Sequence, residues 1–240
     1  MAKVFLALAC TTAGCFSQDV EAEPIADATL NNLPVFPLPN VVLFPGTILP
    51  LRVFEPRYCK LLKHILQEDR LLSIALIKPE ALEEEKPNLY PVASLGRVIH
   101  AEHSANDEYN ILVHGLQRIE LLNEQPQQDL YRTFETRLVP MHSEEDLDRA
   151  SEQLGRLQSC VLALKTAAHN ADEQLIEVLR STSDPMALAD ILAASLIANI
   201  DMQQQILGAT NIPDRLEQLI EALAEPLARL EQANQHGGIN

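Results

Sequence analysis

The sequence predicts an α+β protein, with a strand-rich first half followed by a helical second half. Three observations carry this reading. Residues 33–54 break into short apolar pieces punctuated by proline, continuous or alternating apolar runs recur to about Val139, and from Ser143 the apolar period becomes helical. Composition shifts with the period: glycine is scarce, tryptophan is absent, and Ala, Leu and Gln crowd the second half. A chain of 240 residues, 47% apolar and 22% charged, is long enough to bury a real core.

Order is expected from Leu33. Five prolines fall between Leu33 and Glu55. Proline lacks an N–H and sits at strand ends and edges, so these pieces read as short extended segments joined by turns. Pro45-Gly46 is a turn signal, with Pro setting the first corner and Gly accepting positive φ at the second. Glu55-Pro56 opens a helix in which Tyr58, Leu61, Leu62, Ile65 and Leu66 recur at helical spacing. The run LLSIALI at 71–77 is a buried strand, and 79–87 an acidic loop. Residues 92–103, 109–121 and 131–139 are further strands. The first two are joined by a polar pentapeptide that suits a hairpin, and Gly115 marks a bulge or bend.

In the second half, Leu147, Leu154, Leu157, Val161 and Leu164 define one long amphipathic helix. A shorter helix is expected at 172–180. Asp184-Pro185 caps and starts the next, with Leu188, Ile191, Leu192 and Leu196 on one face. A short helix follows at 201–208. Ile212, Leu216, Leu219, Ile220, Leu223, Leu227 and Leu230 make a last one, bent at Pro226. The organisation expected is an extension at 1–32, a β-rich part at 33–140, a helical part at 141–231 and a fraying tail at 232–240.

The extension has two readings. Residues 1–15 run from one lysine through a short apolar stretch to small residues, and Thr12-Ala13-Gly14-Cys15 is similar to a lipoprotein cleavage site. A disordered extension accounts for the same residues, and the acidic, non-periodic 17–32 fits a linker. The first reading implies export and the second a cytoplasmic protein, which is the one favoured. The apolar stretch is too short to span a bilayer.

Net charge is −16. Nucleic acid is thereby disfavoured, since phosphate binding relies on Lys and Arg. The same charge also suits a solvated surface. Cys59 and Cys160 stand alone in helical segments, without zinc-finger spacing. His100 and His103 lie on opposite faces of an expected strand, so they read as surface residues and no metal is expected. The sequence has no G-x-S-x-G elbow and no Gly-Lys pair of a phosphate-binding loop, so neither a cofactor nor catalysis is expected.

The ordered set Leu33-Pro34-Val35-Phe36-Pro37-Leu38, Val42-Leu43-Phe44-Pro45-Gly46, Leu49-Pro50-Leu51 and Phe54-Glu55-Pro56-Arg57-Tyr58 resembles the amino-terminal domain of Lon proteases. Gly96-Arg97-Val98-Ile99, the segment from Val113 to Arg118 and the stretch around Asp184-Pro185 are similar to later parts of that domain. The resemblance runs from about Leu33 to Leu230. It implies a PUA-like, twisted pseudo-barrel β domain followed by a helical bundle, and a non-enzymatic module free of the Lon motor and peptidase. It also implies binding of unfolded or partly folded polypeptides, or of a protein partner, in protein quality control. Phe44, Phe54, Glu55, Arg57 and Tyr58 are the substrate-binding candidates it singles out. Each also has a structural reading: Glu55 at a helix start, Arg57 in an ion pair tying helix to barrel, and the three aromatics as core. Two other readings are a hydrolase or small-molecule binder using the barrel, and a PUA-like RNA binder opposed by the acidity.

Overall fold

The computed structural model describes residues 29–104, 106–126, 130–139, 144–168, 182 and 184–237. Expectations for 1–28, including Cys10 and Cys15, and for the helix at 172–180 lie outside the described residues. The chain divides into two compact units, Met1–Val139 and Pro140–Asn240.

The first unit holds β1 (Thr29–Leu38), β2 (Ile48–Val53), helix α1 (Pro56–Ile65), β3 (Leu71–Leu76), β4 (Val92–His103), β5 (Tyr109–Glu124) and β6 (Arg132–Leu138). They form one mixed sheet in the order β2-β5-β4-β3-β1-β6, and β5 also pairs with β6. β5 is the organising strand. One edge pairs with β4 over most of its length, while the other takes β2 at Tyr109–His114 and β6 at Ile119–Glu124. The sheet therefore curls back on itself through five strands and leaves β2 outside the ring. It is a mixed, partly closed sheet rather than a regular barrel.

Order begins earlier than Leu33. Thr29 and Leu30 pair with Arg137 and Thr136 of β6, and the register slips between Leu30 and Leu33, where Asn32 has φ 58°. Asparagine tolerates that conformation at a bulge. The pairing is backbone to backbone with a distant strand, so the local composition does not announce it. Pro34 and Pro37 lie inside β1 without harm. Ile77 N donates to Leu38 O, which turns the even-numbered residues of this stretch toward β3. Pro37 then faces the β6 side, where pairing has ended at Val35, and Pro34 faces β3 just before that ladder begins.

Two apolar clusters use the two faces of the sheet. Phe36, Leu72, Ile74, Val98, Ile111 and Val113 pack with Tyr58, Leu61, Leu62 and Ile65 of α1 and with Leu43. Val35, Leu71, Ala75, Ala93, Leu95, Ile119 and Phe134, drawn from all five ring strands, fill the enclosed face. β3 contributes to both and is buried at every position, which is why LLSIAL is apolar without alternation.

The second unit holds α2 (Glu144–Ala168), α3 (Pro185–Leu196), α4 (Ile200–Gly208) and α5 (Ile212–Gly237). Asp184 caps α3 by accepting from Met186 N at 3.0 Å and Ala187 N at 3.4 Å. α4 starts one residue before the expected Asp201, because Asn199 is the cap, accepting from Met202 N at 3.0 Å. Asn211 caps α5 through Asp214 N at 2.8 Å. α5 continues through Pro226 and past Gln232, where the sequence suggested fraying, to Gly237. Leu157 and Val161 of α2, Leu188 and Leu192 of α3, Ile206 of α4 and Leu216, Leu219 and Leu223 of α5 are buried. Among the described residues no helix is long and apolar enough to cross a membrane.

Candidate functional site

The sequence motif Phe54–Tyr58 forms the corner between β2 and α1. Glu55 has extended dihedrals and Pro56 occupies the first helical turn, so the chain leaves the strand and enters the helix without an intervening loop. The Glu55 carbonyl accepts from Tyr58 N and Cys59 N at 2.9 and 3.0 Å. Its side chain makes no cap. Instead it accepts from Arg57 Nε at 2.9 Å and meets Arg57 Nη2 at 2.8 Å. Glu55 and Arg57 thus pair with each other on the surface, and the expected tie between helix and barrel is not made by Arg57. Lys63 makes it: its Nζ reaches Asp107 Oδ2 in the β4–β5 turn at 2.8 Å, and His103 Nε2 lies 3.0 Å from Asp107 Oδ1. The bond from Lys63, then that from His103, holds the Asp107 carboxyl below its ordinary range. Exposed pairs of this kind orient the turn and add little stability.

The three aromatic candidates separate. Phe44 is wholly buried, and its carbonyl lies against the backbone of Gly115. Tyr58 is buried, stacks on Phe36 with ring centroids 4.2 Å apart, and carries the Arg57 guanidinium 4.7 Å from its ring centre. Burial pushes the Tyr58 hydroxyl pKa up, against the opposing pull of Arg57. Both are core residues and offer no side-chain surface to a polypeptide. Phe54 differs: it is 45% exposed, contrary to the core reading for all three.

Phe54 continues an accessible strip. Gly115 N donates to Thr47 O, so the odd-numbered residues of β2 bond to β5. The backbone groups of Ile48, Pro50 and Arg52 then face the free edge. Their side chains are exposed while Leu51 and Val53 are buried. Pro50 removes the central donor of that edge, which discourages uncontrolled strand addition. Ile48 is 46% exposed and stands at the opposite end from Phe54. The alternation of Leu49, Leu51 and Val53 sets Ile48 on the other face, a signal that a division of 33–54 into short apolar pieces passes over.

His100 and His103 are both exposed. Among the described residues no group of three or more His, Cys, Asp or Glu side chains is placed to hold a metal ion. Cys59 is buried and Cys160 half-buried, both as free thiols.

Residues 32–225 match the family of the ATP-dependent protease La (LON) substrate-binding domain. The chain belongs to this family. Among Lon proteases, that of Anaeromyxobacter dehalogenans is 29% identical over 208 residues, covering 84% of this chain and 24% of its own length. Lon protease 2 of Myxococcus xanthus is 26% identical over 215 residues with the same coverages. The chain thus spans about a quarter of the relatives it matches. In structure, it is similar to the amino-terminal domain of a Mycobacterium avium complex Lon protease, with TM-score 0.65 and 17% identity, covering 80% of this chain and 98% of that one. The Lon N-terminal domain protein of Xanthomonas campestris gives 0.56 and 18%, with the same coverages. These likenesses establish the Lon amino-terminal fold. The match is to the substrate-binding domain and not to the Lon peptidase domain, and homology supports a substrate-binding role.

Proposed function

We propose that this chain is a non-catalytic polypeptide-binding module that engages unfolded or partly folded chains, and that it serves protein quality control. Membership of the Lon substrate-binding family is the observation that carries the reading. The β2 edge supplies a surface suited to it. Ile48 and Phe54 present apolar side chains at its two ends, and the Ile48 and Arg52 backbone groups remain open to an extended chain. The net charge of −16 favours a protein over a nucleic-acid partner.

The test is fluorescence anisotropy with a labelled, reduced and denatured polypeptide, together with suppression of its aggregation. The double variant Ile48→Ser/Phe54→Ser should weaken binding by about tenfold or more, the loss of two half-buried apolar contacts, with little change in urea midpoint. If the unaltered chain neither binds the denatured polypeptide nor slows its aggregation, the proposal fails.

A further inference from the structure

Arg97 breaks a pattern among the arginines of the sheet. Arg52, Arg132 and Arg137 each meet a carboxylate, of Glu108, Glu124 and Glu120 respectively, and Arg118 is also engaged. Arg97 on β4 is half-buried, its Nε is buried without a hydrogen-bond partner, and no ion pair joins it to another described residue. The chain carries 34 acidic residues. A guanidinium whose Nε is buried and meets no acceptor among the described residues is a ready partner for an incoming carboxylate.

The strand register shows what stands beside it. Arg97 pairs with His114 on β5, and His114 pairs with Ile48 on β2. Directly opposed residues share a face of the sheet, so the three side chains form one row across three strands. Gly96 and Val98 turn toward Leu43 and the α1 side, which puts Arg97 on the face of Ala93 and Leu95. Burial, then the neighbouring Arg97 cation, holds the His114 imidazole below the ordinary histidine range. The row therefore offers a planar cation, a neutral imidazole and, at the free edge, an exposed aliphatic side chain.

We propose that Arg97 and His114 form a carboxylate-recognition site, walled by Ile48, that receives an acidic side chain or the terminal carboxylate of a bound polypeptide. The proposal rests on the polypeptide-binding reading and names the charge that the module selects. The guanidinium presents paired N–H donors in the plane of a carboxylate, satisfying Nε, and the imidazole adds a further N–H.

Two measurements on the full chain test it. In the first, acetate is titrated while the Arg97 Nε–Hε and His114 ring resonances are followed by NMR. Both should shift and saturate in the wild type. In Arg97→Gln the response should vanish, and the His114 pKa should rise toward its ordinary value. The second compares labelled peptides of one apolar sequence: internal Glu with an amidated end, internal Gln with an amidated end, and internal Gln with a free end. One or both carboxylate peptides should bind about tenfold tighter than the neutral one, the discrimination of a charge-assisted hydrogen bond. Which of them does so identifies the source, and Arg97→Gln should abolish the difference. Unmoved resonances, or equal affinities in the wild type, would overturn the site, and the wild-type arms decide this even if the variant does not fold. Denatured polypeptide bound without carboxylate preference removes the inference and leaves the polypeptide reading. Acetate binding with no polypeptide binding sinks that reading on its own.

Discussion

The two units use glycine in opposite ways. In the sheet unit, Gly115 sits where a Cβ would lie 2.9 Å from the Phe44 carbonyl carbon and closer still to its oxygen. Gly46 N donates to Gly115 O at 2.8 Å, Gly115 N donates to Thr47 O at 2.9 Å, and Ser94 Oγ donates to Leu43 O. Segments about 70 residues apart in sequence therefore meet backbone to backbone, filling the fork on β5 between β2 and β6. In the helical unit, Gly155 of α2 has open space where its Cβ would be. A nearly fully buried ion pair fixes the helices there. Arg215 of α5 and Asp190 of α3 are both almost fully buried, 3.7 Å apart, and Arg215 also donates to Ala209 O from Nε and Nη2. The sheet unit is specified by close backbone approach, which tolerates no added atom. The helical unit is specified by helix caps and a buried charged pair, which tolerate no lost partner.

Four substitutions separate these modes. Gly115→Ala forces a methyl group onto a carbonyl that cannot rotate away, and should cost about 4 kcal/mol of stability in urea denaturation. A loss below about 1 kcal/mol would mean that the 39–47 segment moves freely and that the contrast is false. Arg215→Met leaves Asp190 buried beside an apolar partner and should cost about 3 kcal/mol. Adding Asp190→Leu should recover most of that loss, whereas additive losses in the double variant would argue against coupling across the pair. The smallest effect has the opposite sign. Gly155→Ala, in a helix interior with room for the methyl, should stabilise by about 0.5–1 kcal/mol, read as a raised urea midpoint.

Much of this was legible in the residues. The strand LLSIALI, the hairpin about 104–108, the helix after Glu55-Pro56 and the Asp184 cap each follow from a local rule, and each lies where the rule put it. The misses are equally physical. Arg215 lies at helical spacing with Ile212, Leu216 and Leu219, so its burial was foreshadowed, but an arginine on an apolar stripe ordinarily reaches water. Glu55 and Arg57 were visible as a charged motif, whereas their mutual pairing depends on where the strand-to-helix corner points them. Phe54 could not be told from Phe44 and Tyr58 by type, because an aromatic residue is equally at home in a core or on a binding surface.

By itself the sequence determined the order of elements, the change from strand to helix after Val139, and the family, because periodicity, proline placement and capping residues act over a few neighbours. The tertiary structure alone decided that the sheet curls back through β5 and β6 while β2 stays at the edge, since that follows from hydrogen bonds between remote strands. It also decided that Phe54 and Ile48 are accessible while Phe44 and Tyr58 are not, and that Arg97 stands beside His114 with no carboxylate of a described residue paired to it. Exposure and pairing are properties of what lies across the sheet, and no local pattern encodes a neighbour that arrives from another strand.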